Sequence, residues 1–303
     1  MILLPSSMRV FERGWLSSNN VLFISDGGTA IVDTGYSTHA EQTLALVRHE
    51  LQGRALDLIV NTHLHSDHCG GNAILQGHYA LRTLIPIAEA DKVRDWDGDA
   101  LSFAATGQQC ERFGFDGTLA PGDELTLGGL QWQALAAPGH DPHSLILYCP
   151  AHGILISADA LWENGFGVIF PELDGDSGFL EQRATLDLIA GLDLKLVIPG
   201  HGAPFADVKK ALDTAYSRVD YLAADPARNA QNAIKVMLKF LLLERQRIAL
   251  AELPGLLDAG SSFRSANLNF LKQPPADLAQ WAAQQLVRAQ AAVLDGDYLV
   301  NHG

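Results

Sequence analysis

Apolar positions in this chain alternate between two periods up to about residue 205 and keep a single period afterwards. Residues 21–24 and 30–32 are short apolar runs separated by Gly27-Gly28. Paired glycines supply the positive φ of a tight hairpin, so two antiparallel strands are expected, the second closed by Asp33-Thr34-Gly35. Between 39 and 51 the period lengthens: Leu44, Val47 and Leu51 share a helical face, and Gly53 stops the helix. Residues 58–61 read as a buried strand. Pro86 suits a first helical turn and predicts a short helix through Arg94, while the acidic, tryptophan-containing stretch 91–99 reads as a surface insertion.

A β run is expected over 118–136, with turns at Pro121-Gly122-Asp123 and Gly128-Gly129, then a strand pair at 145–148 and 154–157 around a turn at 150–153. Residues 162–178 form a long loop containing Gly, Pro and aromatic residues, and loops of that length inside compact domains are often functional. A helix over 179–192, with Asp176 or Ser177 as its cap, precedes a last strand at 194–198. Beyond Phe205 the pattern is helical only: 206–224, 227–247, 249–257 and 275–293, broken at Asp225-Pro226, Pro254-Gly255 and Pro274-Pro275. This predicts an α-only tail with a soft boundary between 205 and 225, taken as a catalytic domain over 1–210 and a helical C-terminal extension over 211–303.

One stretch cannot be reduced to periodicity. Thr62-His63-Leu64-His65-Ser66-Asp67-His68 packs three imidazoles and a carboxylate directly behind the apolar run Leu58-Ile59-Val60. Imidazole nitrogen and carboxylate oxygen are the usual ligands of Zn²⁺, Fe²⁺ or Mn²⁺, and an extended segment sends residues two apart to the same side. His63 and His65 can therefore grip one ion, leaving Asp67 and His68 for a second. The alternative is a solvated polar loop that happens to be rich in histidine.

Composition narrows the choice of partners. The 303 residues are 48% hydrophobic, ample for a buried core, with 18% charged residues and a net charge of −14. That sign argues against nucleic acid or an anionic membrane as a partner, since both call for clustered Lys and Arg, and leaves a small-molecule substrate. Bound cations would offset the surplus carboxylates. Cys69, Cys110 and Cys149 are odd in number and lack a recognisable spacing, which argues against a disulfide framework. Cys69 adjoins His68 and is either a thiolate ligand or a small buried free cysteine, the commoner outcome. Met1-Ile2-Leu3-Leu4-Pro5 has no basic start or processing site, and no apolar run approaches the ~20 residues of a membrane span, so a cytoplasmic protein is expected.

Three later positions repeat the logic of the histidine stretch. His140, Asp159 and His201 each follow an apolar strand and a turn, in Ala137-Pro138-Gly139-His140, Ala158-Asp159 and Pro199-Gly200-His201-Gly202. Parallel strand ends in layered α/β folds line one edge of a sheet, so groups far apart in sequence can meet there. Of the 11 histidines, His63, His65, His68, His140 and His201 sit at strand exits, whereas His39, His49, His78, His152 and His302 lie on helices, turns or the terminus.

These residues, with Ile31-Val32-Asp33-Thr34-Gly35, resemble the metallo-β-lactamase superfamily, the resemblance running over roughly residues 10–205. It implies an α/β fold, a four-layer αββα sandwich followed here by the all-helical extension. It also implies a dinuclear site: His63, His65 and His140 on one metal, Asp67, His68 and His201 on the other, and Asp159 bridging. Zinc is the first expectation for the two divalent ions, with iron or manganese as alternatives. Asp33 would stand beside the site, since metal-bound imidazoles usually donate their other N–H to a carboxylate or carbonyl, or else merely end its strand.

Two cations in such a site lower the pKa of a shared water to near neutrality and polarise a carbonyl, so a bridging hydroxide would be the nucleophile and Asp67, with Asp159, would orient it. No Gly-x-Ser-x-Gly nucleophile motif is present. The overall style is similar to glyoxalase II-type thioesterases, although glutathione-binding basic residues cannot be placed, and a lactone or other ester stays open as substrate. His143 is expected to be a solvated turn histidine or a proton donor. Trp162, Phe166 and Phe170 are expected to be pocket wall or plain core. Two other classes remain: a mononuclear iron enzyme resembling persulfide dioxygenases, and a non-catalytic ligand-binding regulator similar to quorum-sensing response proteins. The tail would cap the pocket, make a homodimer contact or, through its last helices and residues 292–300, resemble a degenerate winged helix.

Overall fold

The computed structural model describes residues 4–302, so the expectation about a leader at residues 1–3 lies outside the described residues. Eleven strands build two sheets. The first runs in chain order: β1 (Met8–Phe11), β2 (Asn20–Ser25), β3 (Gly28–Val32), β4 (Leu58–Val60), β5 (Arg82–Pro86) and β6 (Gly117–Leu119), antiparallel up to β3 and parallel from there. The second holds β7 (Glu124–Leu127), β8 (Leu130–Ala136), β9 (Leu145–Cys149), β10 (Ile154–Ala158) and β11 (Leu196–Pro199), in the reverse spatial order β11-β10-β9-β8-β7. Helices α1 (Ala40–Leu51), α2 (Ser66–Cys69), α3 (Asn72–His78), α4 (Ala90–Asp95), α5 (Phe103–Thr106), α6 (Pro171–Asp174), α7 (Phe179–Ala190) and α8 (Val208–Ala223) connect and cover them.

Side-chain alternation along the strands decides the layering. Val21 and Phe23 of β2 face the second sheet and pack with Trp132, Leu147 and Ile156 between the sheets, whereas Leu22 points outward to Leu44, Val47 and Leu51 of α1. On the other outer face, Ile146, Leu155 and Val197 pack against Leu186 and Ile189 of α7 and Ala211, Ala215 and Val219 of α8. The expected αββα sandwich is formed.

The tail holds α9 (Ala227–Arg245), β12 (Arg247–Ala249), α10 (Leu253–Ala259), α11 (Ser261–Ala266), α12 (Pro275–Arg288), β13 (Ala292–Asp295) and β14 (Tyr298–Asn301). It is helical as expected, with a core around Ile234, Leu238, Leu257, Phe263 and Leu286 that also takes in Val168 and Leu173. The α-only expectation missed one small sheet, β12-β14-β13, whose β13–β14 hairpin turns at Asp295-Gly296-Asp297. A boundary at 210 would cut α8, whose buried face belongs to the sandwich; we propose the connection at 224–226 as the division.

Three further local expectations change. Pro86 ends strand β5 instead of starting a helix, because residues 82–86 add to the sheet beside β4; a 3-10 turn (Ile87–Glu89) intervenes before α4. The stretch 91–99 is only partly a surface insertion: Trp96 packs on Phe103 and Phe113, with ring centroids at 5.9 and 5.3 Å. Neither Asp176 nor Ser177 caps α7. The Glu172 carboxylate accepts from the Gly178 and Phe179 N–H groups at 2.8 and 2.9 Å, a side chain from the preceding helix doing the capping. Among the described residues no helix is long and apolar enough to cross a membrane.

Candidate metal centre

Strand direction brings the site together. β3 and β4 are parallel, β10 and β11 are parallel, and β8 runs with β10 because each is antiparallel to β9. All five therefore end at one edge of the sandwich, where Asp33, the 62–68 segment, His140, Asp159 and His201 emerge. The backbone there is tightly determined. Ala158 takes φ 45° just before Asp159, an uncommon conformation for a residue with a Cβ. Gly200 leaves room that a side chain would fill, since a Cβ there would lie 2.2 Å from Asp159 Oδ1. Asn19 clamps the His201 loop, donating to the Pro199 and Gly202 carbonyls at 3.0 and 2.7 Å.

The seven expected donors form two groups, His63, His65 and His140 in one and Asp67, His68, Asp159 and His201 in the other; within each group the donor atoms lie within 4.8 Å of one another. In the first, His65 Nδ1 is 3.1 Å from His63 Nε2 and 2.8 Å from His140 Nε2. Outer contacts fix two of these tautomers. The His140 Nδ1–H donates to the Val168 carbonyl at 2.5 Å. The Thr62 hydroxyl donates to Asp33 at 2.8 Å and so accepts from His63 Nδ1–H at 3.1 Å. Both Nε2 lone pairs thus point inward, and a single proton on His65 Nδ1 could serve only one of them.

In the second group His201 Nε2 stands 3.0 Å from Asp67 Oδ2, and His68 Nε2 stands 3.4 Å from Asp159 Oδ1 and 3.7 Å from Asp67 Oδ2. Asp159 also reaches the first group, its Oδ2 lying 3.3 Å from His140 Nε2. His68 Nδ1–H donates to Asp33 at 2.7 Å, which turns Nε2 inward, where it is buried without a hydrogen-bond partner. Donor atoms converging on two points, with the Nε2 atoms of His63, His68 and His140 turned inward by outer partners, are the arrangement a divalent cation satisfies.

Electrostatics follow from that convergence. Burial, reinforced by the neighbouring imidazoles, holds His63 well below the usual imidazole range. Burial and then His65 push His140 down to about 4. For His68, burial is outweighed by Asp159, Asp33 and Asp67, which raise it. Burial would also raise Asp159 and Asp67, but His68 and His201 hold both carboxyls below the carboxylate range.

Asp33 follows β3 with φ 57°, and its carboxylate ties His68 to Thr62. Trp162, Phe166 and Phe170 line a cavity of about 440 Å³ that opens over His65, Asp67, His140, Asp159 and His201. Trp162 also donates from Nε1 to Asp159 at 3.3 Å, while Phe166 belongs to the outer-face core as well. His143 stands apart. It lies on a turn with its imidazole a third exposed, off the cavity wall, and hydrogen-bonds Glu89, which also accepts from Lys92 at 2.9 Å. Cys69 is a buried free cysteine whose thiol burial pushes up, with Cys110 Sγ 3.8 Å away.

Sequence reasoning missed Trp15, whose indole stacks on His201 at 5.2 Å and 9°, and Asp141, whose carboxylate lies 3.8 Å from His65 Nε2. It also missed the opposite wall of the cavity, built by Val236, Phe240 and Leu243 of α9 and Leu286 of α12. Adjacency to His140 could have flagged Asp141. Nothing local marks Trp15.

The chain belongs to the metallo-beta-lactamase superfamily, whose family model matches residues 13–201. Among curated proteins it is similar to the hydroxyacylglutathione hydrolase of Brucella anthropi, 26% identical over 179 residues (59% of this chain, 56% of that protein). That of Synechococcus sp. is 31% identical over 163 residues (54% and 57%). The chain thus spans about half the length of the curated relatives it matches. A metallo-beta-lactamase family protein from Thermus thermophilus shares the fold along its whole length, with a TM-score of 0.60 at 20% identity, covering 99% of this chain and 100% of that one.

Proposed function

We propose that this protein is a metal-dependent hydrolase that uses two divalent cations, zinc first among them, to cleave a small thioester, lactone or other ester. The observation that carries the reading is the inward convergence of seven donors, six buried and His65 partly so, in two groups sharing Asp159, with the tautomers of His63, His68 and His140 set from outside. His63, His65 and His140 would hold one cation and Asp67, His68 and His201 the other, with Asp159 between them. When bound, the cations supply Lewis acidity toward a carbonyl oxygen and bring the pKa of water toward neutrality.

The chain's own groups do the rest. Asp67, held below its usual carboxylate range, is ionised near neutral pH and can orient an attacking water and take up its proton. Trp15, Trp162 and Phe170 crowd the site and exclude bulk water from the reacting carbonyl. Among the described residues, no side chain on the cavity wall offers a free, near-neutral acid beyond the metal-holding set, which favours a leaving group that departs unassisted. A thiolate, with pKa ~8.5, is such a group. The hydroxyacylglutathione hydrolase relatives support the same choice.

Elemental analysis of the purified protein, followed by a panel of hydroxyacylglutathione, other thioesters, lactones and phosphodiesters, tests the proposal. It expects about two cations per chain and turnover abolished by His63→Ala or Asp159→Asn. Full activity after chelation, or a single iron with oxygen consumption, would overturn it.

A further inference from the structure

The catalytic edge forms only one wall of the cavity; the rest is drawn from the 162–170 loop, the α5 region and, on the far side, α8, α9 and α12. Most of that wall is apolar, with Phe166, Val236, Phe240 and Leu286 facing the space. Away from the His and Asp groups, however, every charged side chain on the wall among the described residues is a cation, Arg218, Lys235 or Lys239, in a chain whose net charge is −14. Lys239 is engaged, its ammonium donating to the Ala291 carbonyl, Asn301 Oδ1 and the His302 carbonyl at 2.8, 2.6 and 3.2 Å. Arg218 and Lys235 differ: among the described residues neither has a carboxylate or hydrogen-bond partner, and Arg218 rests over the Phe166 ring at 5.2 Å.

The two cations line the same cavity, and the Arg218 charge, after burial, lowers Lys235. One turn earlier on α9, Asn232 lines the same space, and its Nδ2 is buried with no partner. Two half-buried like charges and an orphaned amide donor are costly to gather without an anion to satisfy them.

We propose that Arg218, Lys235 and Asn232 form an oxyanion-binding subsite that selects substrates carrying a carboxylate or phosphate at the end of an apolar body, the body lying along Phe166, Val236 and Phe240 while the reacting carbonyl meets Asp67 and Asp159. This deepens the hydrolase reading and rests on it for the position of the carbonyl. The subsite itself concerns binding, so it is tested without turnover. A guanidinium presents a planar fork and an ammonium a point charge, and together they suit a terminal oxyanion with more than one acceptor oxygen.

Calorimetric titration of the metal-loaded protein with α,ω-dicarboxylates from adipate to dodecanedioate, each paired with the monocarboxylate of equal length, separates the two ideas. One carboxylate of each probe can occupy the metal end, so only the second reports on the subsite. The wild-type protein should bind at least one dicarboxylate about tenfold or more tightly than its monocarboxylate partner. Lys235→Gln should reduce that ratio, and Lys235→Gln with Arg218→Gln should bring it to one, leaving monocarboxylate affinity and metal content unchanged. An ω-phosphono acid of the favoured length, if tighter still, names phosphate as the terminus; if weaker, carboxylate. A ratio near one at every length in the wild type, or a ratio that survives the double substitution, would overturn the subsite. Because Arg218 packs on Phe166, the single Lys235→Gln variant, compared at matched melting temperature, keeps the test valid if the double variant is unstable. Failure of the hydrolase reading would appear elsewhere, as a metal-loaded protein with the expected ratio but no turnover.

Discussion

Replacing Asp33 by Asn keeps the shape of the side chain and changes only what it can accept. In the wild type its two oxygens take three donors, the Thr62 N–H at 2.9 Å, the Thr62 hydroxyl at 2.8 Å and His68 Nδ1–H at 2.7 Å. An amide has one acceptor oxygen. With that oxygen on the Thr62 N–H, its NH₂ faces His68, and the hydrogen bond can survive only if the imidazole moves its proton to Nε2. That nitrogen is the one turned toward Asp67 and Asp159, so the variant selects the tautomer that cannot bind a cation. Outer partners of metal-bound histidines are typically worth about 10–100-fold in affinity, or roughly 1.4–2.7 kcal/mol. The expected result is that one of two zinc-binding steps, followed by competition with a chromophoric chelator, weakens by that factor. The other step should weaken less, because Asp33 reaches His63 only through Thr62. Unchanged affinity in both steps, with the fold intact by circular dichroism, would refute the claim that Asp33 sets the His68 tautomer.

Gly200→Ala puts a methyl group 2.2 Å from Asp159 Oδ1 and 3.0 Å from His68 Cε1, so the purified variant should retain fewer cations than wild type while keeping its sandwich, as read by elemental analysis and circular dichroism. Tyr36 is fully buried, donates to Glu244 of α9 at 2.9 Å and accepts from the Gln109 N–H at 3.1 Å; Tyr36→Phe should lower stability by about 1 kcal/mol, measurable as a shifted urea midpoint. His143 is raised by its hydrogen bond to Glu89, and Glu89 is lowered, against its burial, by His143 and Lys92. The stabilisation from His143 is full below its unfolded value near 6.5 and fades as pH rises through the raised folded value, whereas that from Glu89 is full above 4.5 and fades as pH falls through the lowered one. The melting deficit of His143→Gln should therefore peak between those two values and shrink as pH rises through the raised folded value of His143, staying within about 1 kcal/mol because the imidazole is a third exposed; a deficit that keeps growing above pH 6.5 would contradict the pairing.

The donors of the centre were legible in the sequence because metal binding dictates residue type, and because a strand exit is itself marked by an apolar run followed by glycine or proline. His140, Asp159 and His201 each carry that mark, and strand direction alone then assembles them. Thr62 was legible only as a neighbour: its role depends on Asp33 arriving from another strand. Trp15 and Phe240 reach His201 from opposite ends of the chain, so no local pattern could pair them. Strand β5 was hidden by Pro86, which sits at the end of the strand, where the absent N–H matters least. The tail sheet is a different kind of miss. Asp295-Gly296 between apolar runs is a strong hairpin signal, and Gly296 does take positive φ, but the helix expected over 275–293 ends at Arg288 and overlaps the start of β13.

The cavity is encoded in two places. Its metal-holding wall lies within residues 13–201, and much of its opposite wall comes from α9 and α12, after the connection at 224–226. The opposite wall stands on the tail core, which meets the metal side through Val168 and Leu173, so substitutions on α9 and α12 that leave those contacts alone can reshape what the cavity accepts without moving the donors. For a lineage acquiring a new substrate this lowers the number of changes that must occur together. The reactive half can be inherited whole while the downstream half drifts, is exchanged or is selected afresh.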